Sequence, residues 1–156
     1  MRSLALAVLP ALLLLHAPSR LFPGAAPDAC EAVVREVNRS LRPGIDEEEL
    51  VQALRSLGAG GKLPGKFVTK GKARRSGWSP GRDLWSVPGL RGKSIGGDRF
   101  ADRERRLPRL PKDWREADLD YRGGRRGPKR LVYSPGGRRL ITVDHYSTFL
   151  EVPPCR

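Results

Sequence analysis

The feature that most constrains the fold is a change in apolar periodicity at Asp113. Before it, apolar side chains recur at helical spacing; after it, they alternate in twos. In the segment 30–41, Ala32, Val33, Val37 and Leu41 fall near one helical face, and Pro43-Gly44 breaks the helix. A second helix is capped by Asp46, carries Glu47 to Glu49 at its positive N-terminal end and presents Leu50, Ala53, Leu54 and Leu57 as a stripe. Gly58 to Gly61 is expected to end it. A short basic helix is predicted from Thr69 to Gly77, although Gly71 is a poor helix former. Residues 79–112 read as loop, with Ser79-Pro80-Gly81, Val87-Pro88-Gly89 and Leu107-Pro108 as breakers. From Trp114 to Tyr121, Glu116, Asp118 and Asp120 share one strand face, and Ala117, Leu119 and Tyr121 share the other. Arg122 to Pro128 is a basic turn, Lys129 to Ser134 a strand, Pro135-Gly136-Gly137 a hairpin turn and Arg138 to Val143 another strand. Ser147 to Val152 completes the meander. The pattern defines an α+β class: N-terminal helices packed on a C-terminal antiparallel β-sheet.

The start of the chain has a different character. Met1-Arg2-Ser3 precedes an apolar run from Leu4 to Leu15, too short to span a bilayer and suited to a secretory signal peptide over 1–26. Cleavage is placed after Ser19 or Ala26, and export to the extracellular space is expected. The alternative is an uncleaved anchor. About 130 residues remain, enough for one core and too few for two. Residues 27–45 read as a helical extension preceding the principal domain, 46–156. No other stretch is apolar enough to insert in a membrane. Cys30 and Cys155 lie near opposite ends of the mature chain and can pair in an oxidising compartment; the alternative is two unrelated thiols.

Thirty basic residues against 17 acidic ones give a net charge of +13, and removal of Arg2 and Arg20 with the leader leaves +11. This surplus selects polyanionic partners by counterion release, yet it fits anionic membranes as well as nucleic acid. Two cysteines and a single mature histidine leave no basis for a structural zinc site, and no metal or cofactor is expected.

Once His16 is removed with the leader, His145 is the one histidine, in Asp144-His145-Tyr146 at a strand end entering a turn. A lone histidine is more often structural than catalytic. No nucleophile elbow accompanies it, and Asp144 next door is poorly placed to orient its ring. Glu116, Asp118 and Asp120 face the cations Arg126, Lys129 and Arg130 across the expected hairpin. One reading is a set of surface salt bridges. The other is a phosphate site in which arginines clamp phosphoryl oxygens and a carboxylate removes a proton.

The segment Trp114-Arg115-Glu116-Ala117-Asp118-Leu119-Asp120-Tyr121, with Arg126, Arg130-Leu131-Val132-Tyr133-Ser134 and Asp144-His145-Tyr146-Ser147-Thr148-Phe149, resembles the barnase-type family of bacterial guanyl-preferring ribonucleases. Gly92-Lys93-Ser94-Ile95-Gly96-Gly97-Asp98, Phe100, Arg103-Glu104, Leu63-Pro64, Thr69-Lys70 and Gly77-Trp78 extend the match, which is collinear from about Leu50 onward.

The resemblance implies cleavage of single-stranded RNA 3′ to guanosine, without metal, through a 2′,3′-cyclic phosphate. It implies Glu116 as general base toward the 2′-OH and His145 as general acid toward the 5′ oxygen. Arg126, Arg130 and Lys70 would stabilise transition-state charge, with Asp118 holding the arginines and Asp98 as structural support. Phe100, Asp102, Arg103 and Glu104 would form the guanine site, Glu104 accepting from N1–H and N2–H, and Tyr146 would pack near the base or sugar. Ala101 and Asp102 depart from the Ser and Asn common in the family, adding negative charge beside the base site. RNA is the implied partner, together with an acidic protein inhibitor of the barstar type, and the chain is expected to be a monomer.

Two readings from other classes compete. A catalytically inactive cationic protein binding RNA or anionic surfaces would not need Glu116 within a basic cleft. A membrane-active protein would need a long basic amphipathic helix, which the pattern lacks.

Overall fold

A computed structural model describes residues 29–103, 105–107 and 113–156. The expected leader (1–26) and Glu104 therefore lie outside the described residues. Helix α1 (Cys30–Ser40) buries Val33, Val34 and Val37. Helix α2 (Glu47–Gly60) opens on Asp46, whose carboxylate accepts the Glu49 N–H at 2.9 Å. The glycines 58–61 end the helix as expected: it runs to Gly60 and stops where Gly61 turns left-handed (φ 65°), a conformation without steric penalty only for glycine.

A short strand β1 (Phe67–Val68) leads into α3 (Lys70–Arg75), and a 3-10 turn follows at Leu84–Ser86. The stretch read as loop contains β2 (Ser94–Arg99), a correction to the sequence reading. Its two central glycines hide it. A Cβ on Gly96 would lie 2.7 Å from the Phe67 ring and 2.9 Å from Ala117 Cβ, so close packing excludes the β-branched residues that advertise strands. Strand β3 (Arg115–Asp118) is shorter than the alternation from 114 to 121 suggested, because Asp120 leaves the extended region (φ 57°). Strands β4 (Arg130–Tyr133), β5 (Arg139–Thr142) and β6 (Leu150–Glu151) complete a six-stranded sheet in sequence order. β1 pairs with β2 in parallel, and every later pairing is antiparallel.

The register assigns the sheet's two faces. Leu131, Tyr133 and Ile141 join the core that α1 and α2 build with Leu50, Leu54 and Leu57. Each such fully buried side chain contributes roughly 1.5–3 kcal/mol. Val132 and Leu140 pack on the opposite side with Phe100 and Trp114, beside the functional residues. A third cluster, with Trp78, Leu84 and Tyr121, anchors α3 and the loop after it. Tyr121 accepts the Leu84 N–H at 2.9 Å and donates to Asp83 at 2.8 Å. The disulfide Cys30–Cys155 joins positions 125 residues apart and ties α1 to the chain's end, where the Cys30 N–H also donates to the Arg156 carbonyl at 3.1 Å.

Candidate active site

Three elements place charged side chains around one carboxylate. Glu116 points from β3 onto the face opposite the helices, with its side chain 11% exposed. Lys70, at the start of α3, donates from Nζ to Glu116 Oε1 at 2.8 Å. This reach depends on how α3 begins. The Thr69 hydroxyl accepts the Lys72 N–H at 3.2 Å, and Asp98 on β2 accepts the Lys70 N–H at 2.8 Å. Asp98 thus satisfies one of the free N–H groups at the helix start and fixes the root of the lysine.

The second oxygen, Glu116 Oε2, accepts the Tyr146 hydroxyl at 2.7 Å, and that hydroxyl accepts from Arg130 Nε at 3.1 Å. Burial works to raise the Glu116 pKa. The Lys70 ammonium, the Tyr146 hydroxyl and the Arg130 charge together outweigh it, and the carboxyl titrates below its ordinary value. The same burial and the neighbouring carboxylate push Tyr146 far above a usual phenol. Each carboxylate oxygen retains acceptor capacity for a further donor.

Beneath this layer, Asp118 is buried and binds two guanidinium groups. Arg130 Nε approaches Asp118 Oδ1 at 2.9 Å, Arg126 Nη2 donates to the same oxygen at 2.6 Å, and Arg126 Nε donates to Oδ2. Arg130 is 4% exposed and also donates to the carbonyls of Gly127 and Lys129. Opposed charges at the cross-strand pair Asp118–Arg130 match the hairpin expectation. Arg126 keeps Nη1 free of partners among the described residues.

His145 stands on the turn after β5, exposed and left-handed (φ 58°), followed by the left-handed Tyr146 (φ 70°). Two consecutive non-glycine residues in that region are strained and need external support. Asp144 supplies it. Its Oδ1 accepts the Thr142 hydroxyl (2.9 Å) and the N–H groups of Ser147 and Thr148 (both 3.0 Å), while Oδ2 accepts the Thr148 hydroxyl (2.7 Å). The Thr148 hydroxyl, then its N–H, does most to hold the Asp144 carboxyl at a pKa of about 2, so the brace stays ionised. The His145 ring lies 5.2 Å from the Tyr146 ring, which lies 5.6 Å from Phe100.

These groups surround a cleft of about 330 Å³ whose lining brings together Lys70, Phe100, Asp102, Arg103, Glu116, His145 and Tyr146, joined by Ala101 and Arg99. Arg126 and Arg130 are not part of that wall; they lie behind Glu116 and Tyr146. Asp102 lines the cleft, but its carboxylate is turned into its own loop, accepting the N–H groups of Arg106 and Leu107, both at 3.1 Å. Three links escaped sequence reasoning: the Tyr146 hydroxyl on Glu116, Arg99 on the cleft wall and the Asp144 brace. Only the brace carried a local signal, an Asp followed by Ser and Thr three and four positions on. Chemically, the cleft offers an ionised carboxylate, an imidazole and several cations, the elements of proton transfer around a phosphate.

A mostly antiparallel sheet backed by N-terminal helices, with a carboxylate, an imidazole and cations around one cleft, defines a small α+β protein with a cationic cleft. A family model described as ribonuclease matches residues 52–153. A ribonuclease of Heyndrickxia coagulans is 45% identical over 94 residues, covering 58% of this chain and 84% of the relative. Ribonucleases of Bacillus intermedius and Bacillus pumilus are also 45% identical over 94 residues, covering 58% of this chain and 56% of each relative, so the match spans about half their length. The chain belongs to the ribonuclease family, whose members are RNA-cleaving enzymes.

Proposed function

We propose that this protein is a secreted endoribonuclease that cleaves single-stranded RNA 3′ to guanosine by internal transesterification. The observation that carries the reading is Glu116, an ionised, mostly buried carboxylate held between Lys70 and Tyr146 in the cleft that also holds His145. The nucleophile is the substrate's own 2′-OH. Glu116 takes its proton as the oxygen attacks the adjacent phosphorus, and His145 gives a proton to the departing 5′ oxygen. The products are a 2′,3′-cyclic phosphate and a free 5′-OH. In the second step the roles reverse: His145 takes a proton from water and Glu116 returns one to the 2′ oxygen.

Charge that accumulates on the phosphoryl oxygens meets Lys70 on the cleft wall, and Arg126 and Arg130, set back from that wall on Asp118, add positive charge from behind. Phe100, Asp102, Arg103 and Glu104 are assigned to the guanine side of the cleft. Because Asp102 spends its carboxylate on its own loop, Glu104 is left as the carboxylate for the base. Secretion is supported by the apolar leader and by the Cys30–Cys155 bridge, which persists in oxidising compartments. A monomeric enzyme restrained by an acidic protein inhibitor fits the charge of the cleft.

The test is incubation of a defined RNA and its DNA counterpart in chelator, followed by mapping of the new ends. The expected result is RNA fragments ending in guanosine 2′,3′-cyclic phosphate and intact DNA, which lacks the nucleophile. Binding of both without cleavage would identify a cationic binding protein instead.

A further inference from the structure

Resting on the ribonuclease reading, we propose that a second groove, flanked by Lys62, Lys72, Arg115 and Arg139 and separate from the catalytic cleft, binds the sugar-phosphate backbone of a long single-stranded RNA. The groove is made of two adjoining hollows that share Gly61, Arg115 and Tyr133, with volumes of about 150 and 420 Å³. The smaller hollow adds Arg139, and the larger adds Lys62, Lys72 and Phe67. No carboxylate lines either one, although the chain has 17 acidic residues.

The cations in this groove carry their charge without carboxylate partners. Elsewhere in the fold, Lys66, Arg122, Arg126, Lys129 and Arg130 each meet a carboxylate. Among the described residues, none of the four groove cations forms an ion pair, and Arg115 donates only to the Gly97 carbonyl at 2.7 Å. Arg139 is the most telling. It is 6% exposed, borders the smaller hollow and donates no side-chain hydrogen bond among the described residues. Burial alone lowers its pKa from the ordinary value, with no carboxylate to offset the desolvation. Its guanidinium lies near the last turn of α2, 3.7 Å from where a Cβ on Gly58 would stand. The helix end supplies roughly half a negative charge, too little to neutralise one guanidinium among four cations. The Arg139 guanidinium still reaches the hollow that it lines, where a ligand anion can meet it.

The strand register explains the alignment. Arg115, Tyr133 and Arg139 are direct cross-strand neighbours on β3, β4 and β5, so one row of the sheet presents a ring between two guanidinium groups. A positive groove with aromatic walls is the general form of a surface that tracks single-stranded nucleic acid by its phosphates. Thr69 and Arg115 line the groove, and their chain neighbours Lys70 and Glu116 line the cleft. Successive side chains of a strand alternate in direction, so groove and cleft open on opposite faces of β3, and only an RNA long enough to round the sheet's edge reaches both.

The test uses the oxidised mature protein and the triple variant Lys62→Gln, Lys72→Gln, Arg115→Gln, three exposed side chains outside the cleft. The substrates are a guanylyl dinucleotide, which fills only the cleft, and a single-stranded RNA of about twenty nucleotides, several nucleic-acid site sizes long. The expected result is unchanged dinucleotide kcat/KM with a loss on the order of tenfold on the long RNA. The log–log salt dependence should also become shallower by about 2, near 0.7 for each single-strand phosphate contact removed. Arg115→Lys, with Lys62 and Lys72 intact, should retain the full salt slope. Equal loss on both substrates, or no loss on either, would overturn the groove. Binding of a single-stranded DNA of the same length, read by anisotropy, tests the groove without cleavage. If the wild type cleaves no RNA, the ribonuclease reading fails, and DNA affinity lost in the variant still supports the groove. Unchanged DNA affinity with weakened binding to anionic phosphatidylserine vesicles would assign the surface to membranes and overturn the proposal.

Discussion

The Tyr146 hydroxyl donates to Glu116 Oε2 at 2.7 Å while Lys70 holds Oε1 at 2.8 Å, so the carboxylate of the candidate base is gripped from both sides. Glu116 reaches from a strand, Lys70 from a helix start and Tyr146 from a strained turn. The acidity of one carboxyl group therefore reports the positions of three elements.

Tyr146→Phe removes one of the donors that favour ionised Glu116. Because the wild-type value lies below that of an ordinary glutamate, losing the donor moves it upward. Activity that requires ionised Glu116 is present above its pKa and lost as pH falls through it. The acidic limb of the kcat/KM profile should therefore shift to higher pH. Its plateau should fall on the order of tenfold, the effect of one hydrogen bond to a charged group. A limb that stays in place would show that the hydroxyl does not tune the base.

Asp118 is buried between Arg126 and Arg130, and Arg130 is itself buried. Asp118→Ala leaves a guanidinium in the interior without its partner, a loss of about 3–5 kcal/mol. Urea unfolding should show this loss, and a change below about 1 kcal/mol, as for a surface pair, would contradict it.

How far such arrangements were legible in advance depends on whether the signal is local. β4 and β5 are legible because Leu131, Val132, Leu140 and Ile141 are strand formers bounded by turn residues. β2 is not, since Gly96 sits where packing against Phe67 and Ala117 leaves no room for a side chain, and Gly97 takes a left-handed φ of 92°. The end of α2 is legible in Gly58 to Gly61, and the left-handed turn falls on the last of these glycines. Hairpin geometry places Glu116, Asp118 and Asp120 opposite Arg126, Lys129 and Arg130, and the family resemblance singles out Asp118 as the partner of the two arginines. Tyr146 on Glu116 spans 30 positions and depends on two left-handed residues, which no spacing rule supplies.

The Cys30–Cys155 bridge closes a loop of nearly the whole described chain. Reduction should lower stability by about 2–5 kcal/mol. Thiol labelling of the native oxidised protein should find no reactive cysteine. Two reactive thiols would leave α1 held to the core by packing alone.

Glu104→Ala should lose preference for guanine more than cleavage after other bases. A site built on hydrogen bonds discriminates because a wrong base leaves polar groups unpaired. Equal loss on all four guanylyl, adenylyl, cytidylyl and uridylyl dinucleotides would make Glu104 a structural residue.

The most direct measurement compares wild type, Glu116→Ala and His145→Gln on one guanylyl dinucleotide across pH, with guanosine monophosphate binding measured in parallel. Gln keeps polarity and approximate size at position 145 but cannot deliver a proton. The wild type should show a bell with its acidic limb set by Glu116. In Glu116→Ala that limb should vanish along with most of the rate. His145→Gln should nearly abolish formation of the 2′,3′-cyclic phosphate while binding the nucleotide as tightly as wild type. Near-normal cyclic phosphate formation by His145→Gln would contradict the acid–base assignment, since the other histidine of the chain, His16, lies in the expected leader.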